Sequence, residues 1–402
     1  MIKNLLNAIF LISGTAIGAG LIALPLTSIN LGPAISTTII FLMVFIAYKT
    51  SMMTIDLNDA NEKSASIVDL NKNKSGTGFY STNRGSVSIV ELSKNISGQK
   101  AFLISMVSFY TLSFALLAVY FSGITNTLGS FFNFNDNIVI LSCGIVLFFI
   151  LSLNFSTFSK LNSVLVITLL VIIASAIIQV HTKETTITLG QQHCEISEII
   201  TFLPIIFTSF GVQNICPHVF EMLNKDRKKI KVAFLIGILI PAIIYIVWNS
   251  CVFTNVLTKD MTFFEKMRNH QVSVGELIQF LCKSSENMYM EIFFKILSLF
   301  AIITSTIGIG LGLKKSIEET ISQSRIVASA IVCIVPIVLC IAIPNAFINI
   351  LSFGGMIATV FVIFIPYYLL KKKLKRQMDL GDKLCVLFGI LVVLSELSKF
   401  WF

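Results

Sequence analysis

The sequence predicts an all-α integral membrane protein with eleven transmembrane helices. Three observations predict it. Of the 402 residues, 55% are hydrophobic and only 13% charged, where a soluble domain is nearer a quarter charged; the mean hydropathy is +0.86. The apolar residues fall in continuous runs of the length that crosses a bilayer as a helix, not in the alternation of barrel strands. Lysine and arginine collect in alternate loops.

The first run covers 5–28. It extends well beyond a signal-peptide core and lacks a cleavage-site context, so it reads as a retained helix. The runs that follow cover 33–55, 101–124, 137–153, 161–180, 197–223, 231–254, 289–313, 326–342, 345–370 and 384–402. With the N-terminus inside, 23 of the 30 Lys and Arg lie on the inner side, in clusters such as Lys371, Lys372, Lys373, Lys375 and Arg376. This predicts a cytoplasmic N-terminus and a periplasmic C-terminus. It also accounts for the net charge of +9, and no basic patch interleaved with aromatics points to nucleic acid. The expected partner is the lipid bilayer. Eight cysteines include no CxxC or Cys/His cluster, so no metal site, disulfide framework or cofactor is expected.

Two loops are long. The inner one, 56–100, has a polar middle from Asn71 to Gly85, then an amphipathic stretch with Ile89, Leu92 and Ile96 on one helical face. Packing is the expected role of that stretch. The outer one, 255–288, reads as partly helical through Phe263, Phe264, Met267, Leu277, Ile278 and Leu281; it suits either a gate or interfacial packing.

The chemistry sits in three spans. The first holds Gly14-Thr15-Ala16-Ile17-Gly18-Ala19-Gly20, then Pro25. Three glycines in seven residues weaken a helix. In a bilayer, a broken helix is tolerated only where its freed backbone groups face protein or a wet cavity. Exposed N–H groups there suit a carboxylate, and freed carbonyls suit an ammonium. Gly14 and Gly18 also form a GxxxG, so close helix packing is an equal alternative. The sixth span repeats the pattern: Thr15-x-x-Gly18 recurs as Thr208-x-x-Gly211, with Pro217 beyond. Two interrupted helices five spans apart are the mark of a transporter site between inverted repeats. The expected division is a first repeat over 1–181, a second over 196–370, and an additional helix over 384–402.

In the eighth span Thr304-Ser305-Thr306 precede Gly308, Gly310 and Gly312. These hydroxyls either bond their own helix, line the cavity, or join first-span carbonyls around a cation. Few ionisable residues lie deep in the spans; His218 and Glu221 are the candidates, with a position at the cytoplasmic interface as the alternative. Tyr110, Tyr120, Phe114, Phe207 and Phe210 are candidate walls of an aromatic pocket.

At these motifs the chain resembles the bacterial hydroxy and aromatic amino acid permeases, in particular the tyrosine/tryptophan branch. The likeness lies in Gly14-Thr15-x-Ile17-Gly18-Ala19-Gly20 with Ala23-Leu24-Pro25, in Ala115-Leu116 with Tyr120-x-Ser122-Gly123, and in Pro204-x-Ile206-Phe207-Thr208-Ser209-Phe210-Gly211 with Pro217. Ile236-Gly237 with Ile240-Pro241 and Tyr245, and Thr304-Ser305 with Leu311-Gly312-Leu313, support it. The resemblance implies the amino acid permease architecture of two inverted five-helix repeats plus one. It implies import of tyrosine or tryptophan across a bacterial inner membrane, driven by protons. The chain departs from the family pattern at Val212-Gln213, where Phe-His is usual, and at Lys314-Lys315-Ser316, where an Asp-rich continuation is usual.

The expected substrate site comprises Thr15, Ile17, Gly18, Ala19, Gly20, Phe114, Tyr120, Phe207, Ser209, Phe210, Gly211, Gln213 and Ser305. Thr304, Ser305, His218 and Glu221 are the coupling-ion candidates, with H⁺ favoured over Na⁺; the alternative is a sodium-coupled transporter of another neutral amino acid. A channel would show a continuous polar stripe or repeated filter; an intramembrane enzyme would show metal-type or Ser/His pairs within the spans. The sequence has neither.

Overall fold

The computed structural model describes residues 2–18, 20–74, 86–129, 135–153, 163–171, 173–174, 195–284, 288–342 and 347–399. Every regular element among them is helical. The first span is two helices, α1 (Ile2–Ile17) and α2 (Gly20–Ser28), bent by 45°. The second, α3 (Gly32–Lys74), runs far past its expected end at 55. Residues 56–74 look like a loop by hydropathy but contain no Gly or Pro. Their early acidic residues are bound across helices: Asp56 and Asp59 pair with Arg227, and Glu62 lies 2.6 Å from Lys225. The amphipathic stretch is α4 (Ile89–Ser97), with Ser88 as N-cap and Ile89 and Leu92 buried. Then come α5 (Gln99–Gly129) and α6 (Asp136–Ser152). Of the fifth span only 163–171 and 173–174 are described, and they are helical.

The sixth span is also broken. α7 (Ile196–Ser209) ends before a 3-10 turn at Gln213–Ile215, and α8 (Cys216–Met222) follows with Pro217 in its first turn, where a missing N–H costs nothing. Next are α9 (Arg227–Lys259), the outer-loop helices α10 (Met261–Arg268) and α11 (Val274–Ser284), and α12 (Met288–Thr320). α12 continues seven residues past its expected end at 313, with Lys314 and Glu318 3.7 Å apart one turn on. α13 (Arg325–Ala342) and α14 (Phe347–Thr359) complete the core, and α14 runs on through π-helical turns to Lys373. The last helix is α15 (Leu380–Ser398).

Among the described residues, seven helices are long and apolar enough to cross a membrane, or eight with the bent α1–α2 pair as one span. α6 is shorter but apolar, and α15 carries Asp382, Lys383 and Glu396. Apolar residues face out: Phe41 is 56% exposed and Phe149 65%. Hydroxyl residues face in, among them Ser13, Thr50, Ser105 and Thr304. That is the arrangement a lipid solvent selects, since the polar groups must find partners inside the bundle. α1 packs on α9 and α12, α2 on α7, and α7 on α14 and α15.

In the outer loop, Phe264, Met267, Leu277, Ile278 and Leu281 are buried, and Phe263 stacks on Phe280. α15 is tied at both ends. Ser352 and Lys399 each reach the Glu396 carboxylate at 2.8 Å. Lys49 of α3 lies 2.7 Å from Asp379 and 3.1 Å from the buried Asp382; its hydrogen bond holds the Asp379 carboxyl below the usual carboxylate range.

Small residues set the helix spacing. A Cβ at Gly355 of α14 would stand 2.3 Å from the Pro204 carbonyl oxygen of α7, whereas one at Gly310 would meet only side chains at 3.5 Å or more. Gly355→Ala is therefore expected to force α14 off α7 and to cost about 1–3 kcal/mol, as overpacking does, while Gly310→Ala is tolerated. Thermal unfolding of the detergent-purified variants checks this; equal melting temperatures would refute it.

Candidate functional site

The breaks in the first and sixth spans free backbone groups, and specific side chains take them up. Ser305 of α12 places its hydroxyl 3.1 Å from the Gly14 carbonyl oxygen and 2.9 Å from that of Thr15. The next carbonyl, Ala16, accepts from the hydroxyl of Tyr245, a wholly buried side chain of α9. The same hydroxyl lies 3.4 Å from the Ser209 carbonyl oxygen at the end of α7. One tyrosine thus touches both breaks.

On the other side, α7 closes with Phe210 N–H donating to Ile206 and Phe207, and Gly211 N–H to Thr208. The Thr208 hydroxyl lies 2.9 Å from both the Pro204 and the Leu351 carbonyl oxygens, which anchors the break to α14. Beyond the break, Gln213 Nε2 donates to Thr50 Oγ1 of α3 at 2.9 Å.

Between the breaks is a cavity of about 30 Å³, room for a couple of water molecules. Backbone-rich walls come from Thr15, Ala16 and 207–211. Gln213 and Asn214 close one side, and Met43, Leu112, Leu116, Tyr120 and Phe361 give an apolar lining.

Of the residues expected from sequence, Thr15, Tyr120, Phe207, Ser209, Phe210, Gly211 and Gln213 line this cavity. Ile17 and Ser305 are fully buried behind it. Gly18 and Gly20 face protein: a Cβ at Gly18 would lie 2.1 Å from Ser305 Oγ, and one at Gly20 would lie 2.3 Å from the Tyr245 hydroxyl. Ala19 lies outside the described residues. Phe114 packs against Tyr110 instead. Thr304 donates to Ala301 within its own helix. His218 and Glu221 do not line the cavity; Glu221 is paired with Lys315 at 3.0 Å and is 42% exposed. The important additions are Tyr245 and Thr50. Tyr245 stood in a quoted motif, but a lone tyrosine in an apolar run signals no site. Thr50 looks like any helix hydroxyl until Gln213 is opposite it.

Two broken helices meeting at a buried cavity of mixed character form the candidate site within the bundle. The family described as tryptophan/tyrosine permease matches residues 1–395. The chain belongs to the tryptophan/tyrosine permease family. It is a multi-pass membrane transporter and not an enzyme. This permease is 24% identical to a protein of Aliivibrio fischeri named glutamine transporter 2, over 98% of this chain and 99% of the other. It is 23% identical to tyrosine-specific transport system 1 of Haemophilus influenzae, over 93% and 89%. A tryptophan-specific transport protein of the same organism matches half of each chain at 23%. Among solved structures, a manganese transporter of Eremococcus coleocola, in complex with an aromatic bis-isothiourea substituted compound, shares the fold. Its TM-score is 0.61 at 13% identity, over 98% of this permease and 85% of that chain.

The tight fit at Gly18 separates packing from ligand contact. Gly18→Ala is expected to abolish uptake by this permease, because the new methyl occupies the Ser305 hydroxyl's place. Pairing it with Ser305→Gly restores the space. Recovery of more than about half of wild-type uptake in the double variant would assign the glycine to packing alone; continued loss, with protein present in the membrane and with Ser305→Gly alone still transporting, assigns the backbone at Gly18 to the ligand.

Proposed function

We propose that this permease is a secondary active transporter that imports an aromatic amino acid, tyrosine or tryptophan, by proton symport with alternating access across a bacterial inner membrane. The observation that carries the reading is the meeting of two helix breaks at one buried cavity. The eleven spans divide into inverted repeats over 1–181 and 196–370 plus the helix over 384–402, with the N-terminus cytoplasmic. The substrate ammonium meets the carbonyls at Thr15, Ala16 and 207–211. Its carboxylate meets N–H groups at the start of α2 around Gly18 to Gly20, where the helix dipole favours an anion. Its side chain lies against Tyr120, Phe207, Phe210 and Phe361. A cavity of about 30 Å³ is far smaller than an amino acid, so loading requires the α1, α3, α7 and α9 group to move against α5, α6, α12 and α13. That movement is what alternating access requires.

Protons are favoured over sodium. A hard cation needs several oxygens in one place. Ser305 already spends its hydroxyl on Gly14 and Thr15, and Thr304 turns away to Ala301. A second reading, transport of glutamine, draws on the polar Gln213–Thr50 pair at the cavity, which suits an amide side chain, and on the full-length relative named for glutamine.

In proteoliposomes with an imposed pH gradient and no sodium, labelled tyrosine or tryptophan should accumulate and be lost on adding a protonophore. Excess unlabelled glutamine should leave that uptake unchanged. Accumulation of glutamine alone would replace the substrate assignment, and uptake appearing only with a sodium gradient would move the ion to Ser305 and Thr304.

A further inference from the structure

Three consecutive residues between α3 and α4 each make a tertiary hydrogen bond, and each bond goes to a different helix. Ser86 Oγ donates to the Pro217 carbonyl of α8 at 2.6 Å. Val87 N–H donates to Asn58 Oδ1 of α3 at 3.0 Å. Ser88 N–H donates to Glu319 Oε2 of α12 at 2.8 Å. All three residues are buried, and Asn58 wholly so. Beside them Lys315, one turn before Glu319, reaches Glu221 of α8 at 3.0 Å and Ser86 Oγ at 3.5 Å.

A connecting segment at a helix end ordinarily satisfies its backbone locally or with water. This one spends its donors on three separate helices. The partners fall on the two sides of the movement proposed above: Pro217 and Asn58 belong to the group that moves with α1, whereas Glu319 and Lys315 belong to α12. On its far side the segment continues into α4, which packs on α5.

Glu319 is placed to hold the segment rather than to pair with a cation. Its helical neighbour Lys315 is engaged with Glu221, and Glu319 makes no ion pair among the described residues. A buried backbone N–H is costly to leave without its acceptor, so the Ser88–Glu319 bond is a firm hold on the segment. Because Ser88 is the N-cap of α4, the carboxylate also meets the positive end of that helix. Ser86 and Val87 then reach across the seam with neutral bonds, and the Lys315–Glu221 pair crosses it directly.

We propose that residues 86–88 are a strap across the cytoplasmic mouth of the pathway. Glu319 positions the strap against α12, and Ser86 and Val87 close the seam by binding α8 and α3. Opening to the cytoplasm breaks the Ser86–Pro217, Val87–Asn58 and Lys315–Glu221 contacts and leaves the Ser88–Glu319 bond intact. The proposal rests on the transport reading for the direction of movement, though the contacts are independent of what is carried.

A native reporter sits behind the strap. Cys216, the residue before Pro217, is fully buried, as is Cys385 of α15, and Cys333 of α13 is 4% exposed. Inside-out membrane vesicles are treated with a membrane-impermeant maleimide, and alkylation of each cysteine is followed by mass spectrometry. Ser86→Ala removes one crossing bond and should raise Cys216 labelling about threefold; Glu319→Ala unseats the strap and should raise it about tenfold. Cys333 and Cys385 should stay at wild-type rates in both. Unchanged Cys216 labelling in both variants would overturn the proposal. Should Glu319→Ala label all three cysteines alike, that variant has lost its fold and Ser86→Ala decides by the same comparison. Labelling that responds in a protein that takes up no aromatic amino acid would keep the strap and discard the substrate assignment.

Discussion

Every feature of the site follows from the cost of a bare carbonyl in hydrocarbon. A backbone oxygen without a donor inside a bilayer costs several kcal/mol, and each helix break frees several at once. Tyr245 and Ser305 meet that demand at the first break, reaching in from α9 and α12. Thr208 fastens the second break to α14. Without those hydroxyls, the glycine-rich segment would gain by closing into a continuous helix, and the cavity would vanish with it.

The same demand explains why glycines crowd this region. A hydroxyl can reach a backbone oxygen on another helix only if the two helices approach closely, and a Cβ in the way prevents it. Gly18 makes room for Ser305, Gly20 for Tyr245, and Gly308 for Thr15. Packing at these residues is therefore direct, and the close contacts hold open the gap between the breaks.

Much of this was legible in the chain, and the exceptions have physical causes. Among the described residues, the apolar helices, both breaks and the amphipathic α4 follow from hydropathy, glycine and proline, because these act locally. The continuation of α3 to Lys74 does not, because residues 56–74 carry the polarity of a loop, and what helps hold them as helix is distant: Arg227 and Lys225 on α9 and before it. Within the site, Gln213 was readable as a polar residue beside a break. Thr50 and Tyr245 were not, since each acquires its role only through a partner more than 160 positions away. Ionisable residues misdirect for a related reason: Glu221 looks deep by sequence, but α8 carries it to an exposed ion pair.

The last helix lies outside the two proposed repeats, yet it touches both. Phe388 lies against Phe207 beside the second break, with ring centroids 5.6 Å apart, and Asp379 and Asp382 grip Lys49 on α3. Two like halves arranged head to tail would leave the inward- and outward-facing shapes nearly degenerate in energy. On the proposed repeat scheme, a helix outside both halves that grips α3 through Lys49 and α7 through Phe207 would lift that degeneracy and give the empty transporter a preferred resting orientation.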